Sequence, residues 1–404
     1  MKKKALLFVV AVLALCLVPS AMWAKDVTVA LIVPLTGGGA FYGKIMKDIA
    51  AGVIADINKQ GGIKGFGEIK YKVYDEGTDP AVTASNIEKA HSQGANFVWG
   101  GFASPCEAMM VRKANELKIP TLLTNESTYK TMTCDNKYAI MPVLGTMEIG
   151  QVCAKYFKQK GVKTYAFIGA DYIYSRSWEK SLEIGLRGSG IKQVYANWHD
   201  FKKVDFSADI MKLKELKPDA VIRSFGGDGE YIIVKQMKDA KYWPSIFIAN
   251  CTMSGYQVTM SELGPEYIVG VTAETCQDPD NPRWQAFAKN HQKNYGCLPT
   301  WLSQGCHDTL WVMKLAVEKA GSLDPEKVAK ALHEVSYEGV GGFPCGPFTD
   351  DGYVRNGIIR LVEFVNGPPP WDPNLKVHRK TVCELEATPL CSEKVDEFLE
   401  KEGK

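Results

Sequence analysis

Apolar and polar positions fall in blocks along this chain, and the blocks change period. Residues 27–33, VTVALIV, are a continuous apolar run of strand length. Ile45, Ile49, Val53 and Ile57 then recur every four residues and predict a helix over 44–58 with one face on a core. IKYKVYDEG (69–77) returns to period two, as a half-buried strand does. Asp79-Pro80 opens a predicted helix through Gln93, with proline in its first turn. ANFVWGG and IPTLLTN are short buried strands on either side of the helix CEAMMVRKANEL. The repeated strand–helix order predicts a parallel sheet covered by helices on both faces, with working loops at the carboxyl ends of its strands.

The pattern restarts near residue 146. A helix to about Lys160, the strand TYAFIGAD, the helix SWEKSLEIGLRGSG and the strand QVYANWHDF form a second unit of the same kind. FSADIMKLKEL, DAVIRSF, DGEYIIVKQMKDA, SIFIAN and IVGVTAE extend it. Three helices follow, PRWQAFAKNHQKNY, LSQGCHDTLWVMKLAVEKAG and PEKVAKALHEV. An antiparallel pair is expected around GPFTDDGYVRNGIIRLVEFVNG, and NGPPPWDP (366–373) is a rigid extended loop before a short tail.

PLTGGGAFYGK (34–44) fits the opening of a phosphate-cradling loop at Gly38, Gly43 and Lys44. Such a loop needs Ser or Thr after the lysine to hold magnesium, and here that residue is Ile45. The glycines instead suit a strand-to-helix turn made of small residues. That turn does not account for the neighbouring aromatics Phe41 and Tyr42.

The chain opens with Lys2, Lys3 and Lys4, an apolar run to Val18, Pro19 and small residues, the pattern of a secretory signal cut after Ala24. Cys16 raises the alternative of a lipid anchor, but Leu15 stands where a small residue is wanted. An extracytoplasmic, periplasmic location is expected, with no membrane insertion. The remaining 380 residues are too long for one ordinary core and suggest two lobes. Removing the three lysines takes the formal charge from +2 to −1, which gives no electrostatic case for nucleic acid.

Ten cysteines remain, an even number that favours disulfides in an exported protein. Short loops suggest Cys383–Cys391 and Cys297–Cys306; Cys106–Cys134 and Cys251–Cys276 would staple neighbouring strand-end loops. No C-x-x-C, C-x-x-C-H or H-E-x-x-H occurs, so neither a metal nor another cofactor is expected. The six histidines show no triad spacing, there is no G-x-S-x-G, and GLRGSG follows a helix rather than a strand. No enzymatic activity is expected.

VALIVPLTGGGAFYG, AAGVIADINKQGGIKG, VYDEGTDPAVTASNIEKA, FVWGGFAS, GADYIYSRSWEKSL, PDAVIRSFGGDGEYIIVKQM and HDTLWVMKLAVEKAG, in this order over about 27–365, resemble the type I periplasmic solute-binding proteins of ABC importers. The likeness is to the leucine/isoleucine/valine-binding branch. It implies two lobes, each a mainly parallel α/β sheet flanked by helices, joined by a three-stranded hinge that closes over a ligand. By analogy, lobe one takes 25–142 with 276–345, and lobe two takes 143–275 with 346–404.

The resemblance also places the site. Tyr42 matches a cleft aromatic, the alternative being a tyrosine packed on its own loop. Ser104 and Thr128 match the hydroxyls that hold the ligand carboxylate, with Glu126 and Ser127 beside them; Ser104 would also suit a helix cap and Thr128 a plain turn. Tyr174 and Phe225 match cleft aromatics of lobe two, and Asp228 faces either the cleft or a helix start. Trp301 and His307 are further cleft candidates.

One departure stands out. Amino-acid binders of this branch carry a Glu after the strand matching SIFIAN, whereas this loop reads ANCTMSGY, with no acid until Glu262. A buried ammonium without an anion is costly. Either Asp228, Asp171 or Glu126 replaces that carboxylate, or the ligand has no α-amino group. The expected function is capture of a small carboxylate-bearing solute, a branched-chain or other aliphatic amino acid first, for a membrane permease. The alternatives are an aliphatic or aromatic carboxylate, urea or a short amide, or a ligand-sensing co-receptor.

Overall fold

The computed structural model describes residues 25–125, 128–225 and 228–402. Its first elements are β1 Val27–Val33, α1 Ala40–Lys59, β2 Ile69–Asp75, α2 Pro80–Ser92, β3 Phe97–Gly100, α3 Ser104–Leu117, β4 Thr121–Leu123 and β5 Ala139–Ile140. Then come α4 Thr146–Lys160, β6 Thr164–Ala170, α5 Ile173–Leu186, β7 Lys192–His199, α6 Ser207–Leu216, β8 Ala220–Ser224, α7 Asp228–Asp239, β9 Ile246–Ala249, α8 Tyr256–Glu262, α9 Pro265–Ile268 and β10 Thr272–Thr275. The chain continues with α10 Pro282–Tyr295, α11 Ser303–Ala320, α12 Pro325–Glu334, β11 Gly357–Asn366, β12 Val377–Ala387 and α13 Ser392–Glu402.

The strands form two sheets. The order β2-β1-β3-β4-β5 is parallel throughout. The other sheet, β12-β11-β10-β9-β8-β6-β7, is parallel from β7 to β10 and antiparallel across β10, β11 and β12. This is the two-sheet α/β architecture expected from the alternation of strand and helix signals. Ile45, Ile49, Val53 and Ile57 are all buried, as their spacing requires. The helix α1 starts earlier than expected, because a 3-10 turn at Gly37–Gly39 runs straight into it and makes Phe41 and Tyr42 helical. Asp79 caps α2 by accepting from Ala81 N at 2.7 Å and Val82 N at 3.1 Å.

Helices α10 and α11 return to the first sheet and pack on α1. The indole of Trp99 in β3 donates to Thr309 Oγ1 of α11 at 2.9 Å. Gly305 admits no side chain, since a Cβ there would fall 1.9 Å from Thr124 O.

Three expectations need correction. IVGVTAE is a strand only over Thr272–Thr275; the helical turn Pro265–Ile268 and Gly270, at φ +84°, break its start. The antiparallel partner of β11 is β12, which lies in the segment read as a short tail. That strand leaves little sign in the sequence, because it is an edge strand, rich in Lys, Arg and Glu, with no apolar run. Its buried Arg379 donates to Ser254 O at 2.8 Å and Gln277 Oε1 at 2.9 Å, between the rings of Tyr256 and Trp284.

The third correction concerns the cysteines. Cys134 is bonded to Cys391, 257 residues away, which excludes Cys383–Cys391 and Cys106–Cys134. Cys297–Cys306 is not formed: Cys306 is buried on α11 facing Thr124, and Cys297 lies beside His291. Nor are Cys251 and Cys276 bonded to each other; Cys251 Sγ contacts Asn250 Oδ1 at 3.1 Å.

Glu76 follows β2 and is fully buried. Burial first, opposed by the Thr83 hydroxyl at 3.2 Å and reinforced by the Asp75 charge, pushes its carboxyl up to about 7. Glu148, in the first turn of α4, is pushed up to about 7 by burial, opposed by hydrogen bonds to the backbone amides of Glu148 and Gly145. Both are protonated in the fold at a pH where the unfolded chain has ionised them. Their contribution is full below about 4.5 and is lost as pH rises to about 7, by roughly 3 kcal/mol each. Thermal melts across that window should show falling stability, and Glu76→Gln should remove about half of the slope. A parallel slope in the variant would mean that Glu76 does not titrate there.

Candidate functional site

Strand order marks where loops diverge. In the first sheet β1 lies between β2 and β3, and in the second β6 lies between β7 and β8. Successive connections run to opposite sides of these strands, so the loops leaving their carboxyl ends part and leave a crevice.

The glycine turn after β1 is built to that shape. Asp75 accepts from Leu35 N at 2.8 Å, Thr36 N at 3.1 Å and Thr36 Oγ1 at 2.7 Å. Gly39 N donates to Thr78 Oγ1 at 3.0 Å. Gly37 stands at φ +77° with Gly77 O 2.4 Å from where a Cβ would be, and a Cβ on Gly43 would fall 1.8 Å from Pro34 O. Lys44 is exposed and Ile45 buried, the reverse of what a phosphate-binding loop requires. The turn packs one ring closely instead. Tyr42 is buried and stacked on Phe102 at 5.1 Å and 21°, with Trp301 at 5.9 Å.

A cavity of about 310 Å³ opens between the two sets of loops. Gly38, Thr78, Phe102, Ala103, Ser104, Pro105, Asn125 and Trp301 line it from the first sheet's side; Tyr172, Tyr174, Phe201, Asn250, Cys251 and Thr252 face them. Its volume suits a small organic ligand. A larger depression of about 1070 Å³, by Lys118, Tyr138 and His333, is a charged surface groove whose Lys118 pairs with Glu326 at 2.9 Å. It lies away from the strand switch points.

The walls are aromatic on both sides. Tyr172 stacks on Tyr174 at 6.0 Å and 13°, and Phe201 meets Tyr172 edge-on at 5.8 Å. Phe201 is half exposed although it lines the cavity. The first turn of α3, with Ser104 and Pro105, forms one wall, and a helix start favours an anion. Among the described residues, Asn125 Oδ1, Thr252 Oγ1 and Trp301 Nε1 are buried without a hydrogen-bond partner. Unmet groups of this kind in lining residues indicate hydrogen-bonding capacity that the protein alone does not use.

Two buried carboxylates shape the wall from behind. Glu274 Oε1 accepts from Cys251 N at 2.6 Å and from Tyr174 OH at 3.3 Å. Glu230 accepts from Asn250 N at 2.7 Å and Phe225 N at 3.0 Å. The loop without an acid of its own is thus held by acids from β10 and α7. The Tyr231 phenol is pushed well up by burial and then by the Tyr42 hydroxyl, so Tyr42 reaches the second sheet's side.

Of the residues singled out from sequence, the cavity brings Ser104, Tyr174 and Trp301 together, with Tyr42 packed behind Phe102 and Trp301. Ser104 is the first helical residue of α3, and Ala103 holds the cap position. Thr128 is buried outside the lining, its Oγ1 accepting from Lys130 N at 3.1 Å within its own turn. Phe225 is buried behind Phe201 at 5.8 Å and over the Arg223 guanidinium at 3.7 Å. Asp171 is exposed and paired with Arg176 at 2.8 Å. His307 is engaged with Asp308 at 2.8 Å, away from the cavity. Glu126, Ser127 and the side chain of Asp228 lie outside the described residues. Phe102, Tyr172, Phe201, Asn125, Asn250, Thr252 and Glu274 carry no expectation from the sequence, and Cys251 only that of a disulfide. Phe102 and Tyr172 lie within stretches matched to the family, and Thr252 lies in the loop noticed for lacking an acid.

The sequence pattern of periplasmic binding proteins matches residues 26–365. The chain belongs to that family. Among relatives of this periplasmic binding protein, a leucine-, isoleucine-, valine-, threonine- and alanine-binding protein of Pseudomonas aeruginosa is 26% identical over 356 residues, 85% of this chain and 91% of the relative. The Leu/Ile/Val-binding protein homolog 1 of Brucella abortus is 26% identical over 378 residues, 90% and 95% of the two chains. The fold is shared with an ABC-transporter solute-binding protein of Rhodopseudomonas palustris BisB5 solved with 3,4-dihydroxybenzoic acid: TM-score 0.79, 17% identity, 90% of this chain and 98% of that one. It is shared also with a branched-chain amino acid transporter substrate-binding protein of Streptococcus pneumoniae solved with isoleucine: TM-score 0.75, 17% identity, 88% and 100%. No helix among the described residues is long and apolar enough to cross a membrane.

Phe201 lines the cavity yet is half exposed, so its removal should spare the fold. Phe201→Ala should weaken binding of the solute that fills the cavity about tenfold and leave the melting temperature within about 2 °C. Calorimetric titration and a thermal melt check both; unchanged affinity would remove Phe201 from the binding surface.

Proposed function

We propose that this periplasmic binding protein is the extracytoplasmic substrate-binding component of an ABC importer. It captures a small carboxylate-bearing solute in the cavity between two lobes, closes on it by hinge motion and presents it to a membrane permease. The lobes follow the resemblance, 25–142 with 276–345 and 143–275 with 346–404, except that the tail from Cys391 is tied back to lobe one, and residues 1–24 serve as a cleaved secretory signal. The observation that carries this reading is the cavity itself: small, at the switch points of both sheets, beside the start of α3, and lined from both sides.

For the ligand, the walls favour an aromatic carboxylate. Phe102, Trp301, Tyr172, Tyr174 and Phe201 offer flat faces, and no acidic side chain lines the cavity among the described residues. The Rhodopseudomonas neighbour solved with 3,4-dihydroxybenzoic acid supports that class. The second reading, a branched-chain amino acid, rests on Glu274, a buried carboxylate one residue behind the wall at Tyr174 and Cys251, and on the names of the relatives.

Calorimetry on refolded, ligand-stripped protein with benzoate, 4-hydroxybenzoate, L-leucine and L-isoleucine separates the two. Micromolar or tighter binding of a benzoate, about −8 kcal/mol, with no response to the amino acids is the expected result. Binding of the amino acids alone, lost in Glu274→Gln, establishes the second reading. No heat from any of the four would sink both.

A further inference from the structure

The hinge carries more than the three crossings expected of it. The chain passes between the sheets after β5, after β10 and before β11. It then crosses once more. Ala387, the last residue of β12, pairs with Gly357, the first of β11, at the edge of the second sheet. Just upstream, Met141 N donates to Gly352 O at 2.8 Å and Val354 N to Met141 O at 3.1 Å, so 352–354 already belong beside the end of the first sheet. Thr388 Oγ1 accepts from Asn356 N at 2.9 Å, and Cys391 is bonded to Cys134 in the first sheet's β4–β5 connection.

The tail then grips that connection at successive points. Ser392 N donates to Met132 O at 2.9 Å, Cys134 N donates to Glu393 Oε2 at 2.8 Å, and Tyr129 OH donates to Asp396 Oδ1 at 3.2 Å. Lys130 pairs with Asp396 as well. The connection leads on from Asn125, which lines the cavity. At its other end Asn136 Nδ2 donates to Ala139 O at 2.9 Å and to Asp351 O at 2.8 Å.

We propose that residues 388–396 are a covalent strap across the hinge, which limits how far the lobes open and holds residues 128–136 of the β4–β5 connection in place. Four peptide steps of at most about 3.5 Å keep the Cα of Cys391 within roughly 14 Å of that of Ala387. The Cα atoms of Cys391 and Cys134 are 5.0 Å apart. The β4–β5 connection of one lobe is therefore leashed to the end strand of the other by a tether too short for wide separation. Restricting the open ensemble raises the share of binding-competent conformers and with it the affinity. The affinity consequence rests on the proposed solute-binding role; the restriction of opening does not.

The test compares the oxidised protein with the same protein reduced by a phosphine and with the Cys134→Ser/Cys391→Ser variant. Hydrogen exchange without ligand is read at residues 128–136 and at the two cavity walls, 102–105 and 250–252. The strap predicts exchange about threefold or more faster at both walls when the bond is absent. A tie that serves only local structure would speed exchange in 128–136 and the tail alone, and that pattern overturns the proposal. Should the variant misfold, the reduced native protein gives the same reading. In a second arm, dissociation of whichever of 4-hydroxybenzoate or L-leucine the oxidised protein binds should quicken about threefold or more. An unchanged rate with loosened walls would overturn the affinity consequence. If the oxidised protein binds neither probe, the solute reading fails while exchange at the walls still decides the strap.

Discussion

Parallel strands cannot be joined by tight turns. Each must be followed by a crossing long enough to return to the same end, and a helix covers the sheet on the way back. All the loops that leave the strands' carboxyl ends therefore gather on one side. Here that constraint acts twice, once on β1 to β5 and once on β6 to β10. The cavity forms where the two gatherings face each other, and none of its lining residues needs a special element of its own. The antiparallel strands β11 and β12 are spared this rule, and they carry the chain back to the hinge.

Acidic side chains are used in this fold to hold backbone. Glu230 and Glu274 bind the amides of Asn250, Phe225 and Cys251, and Asp75 binds those of Leu35 and Thr36. Charge-assisted bonds to amides fix loop geometry where no strand or helix can. The acid-free loop after β9 is then less of an anomaly, since acids anchored elsewhere set its position.

Much of the fold was legible because its periodicities are strong. Ile45 to Ile57 at four-residue spacing and the apolar run of β1 each admit one local structure. Strand β12 was not legible, because one face of an edge strand is wet and its sequence is dominated by charged residues. The site was readable only where motif and wall coincide, as at Ser104 and Tyr174. Phe102 and Tyr172 sit beside residues chosen from the same motifs, and which neighbour faces the cavity depends on where a helix begins. Helix α1 begins at Ala40 and α5 at Ile173, and boundaries of that accuracy are not encoded in an apolar pattern. Phe201 follows an edge strand with no motif at all, and cysteine pairing across 257 residues carries no local signal.

The Cys134–Cys391 bond also has a bearing on the order of assembly. Its first partner lies in the first sheet's β4–β5 connection and its second follows every strand of both sheets. Lobes of a growing chain tend to fold from the amino-terminal end, so Cys134 has no native partner until the last strand has been delivered. The bond can close only on a chain that extends past Cys391 and has already brought β12 beside β11. It is a covalent mark that both sheets have met, missing from any chain that stops before Cys391.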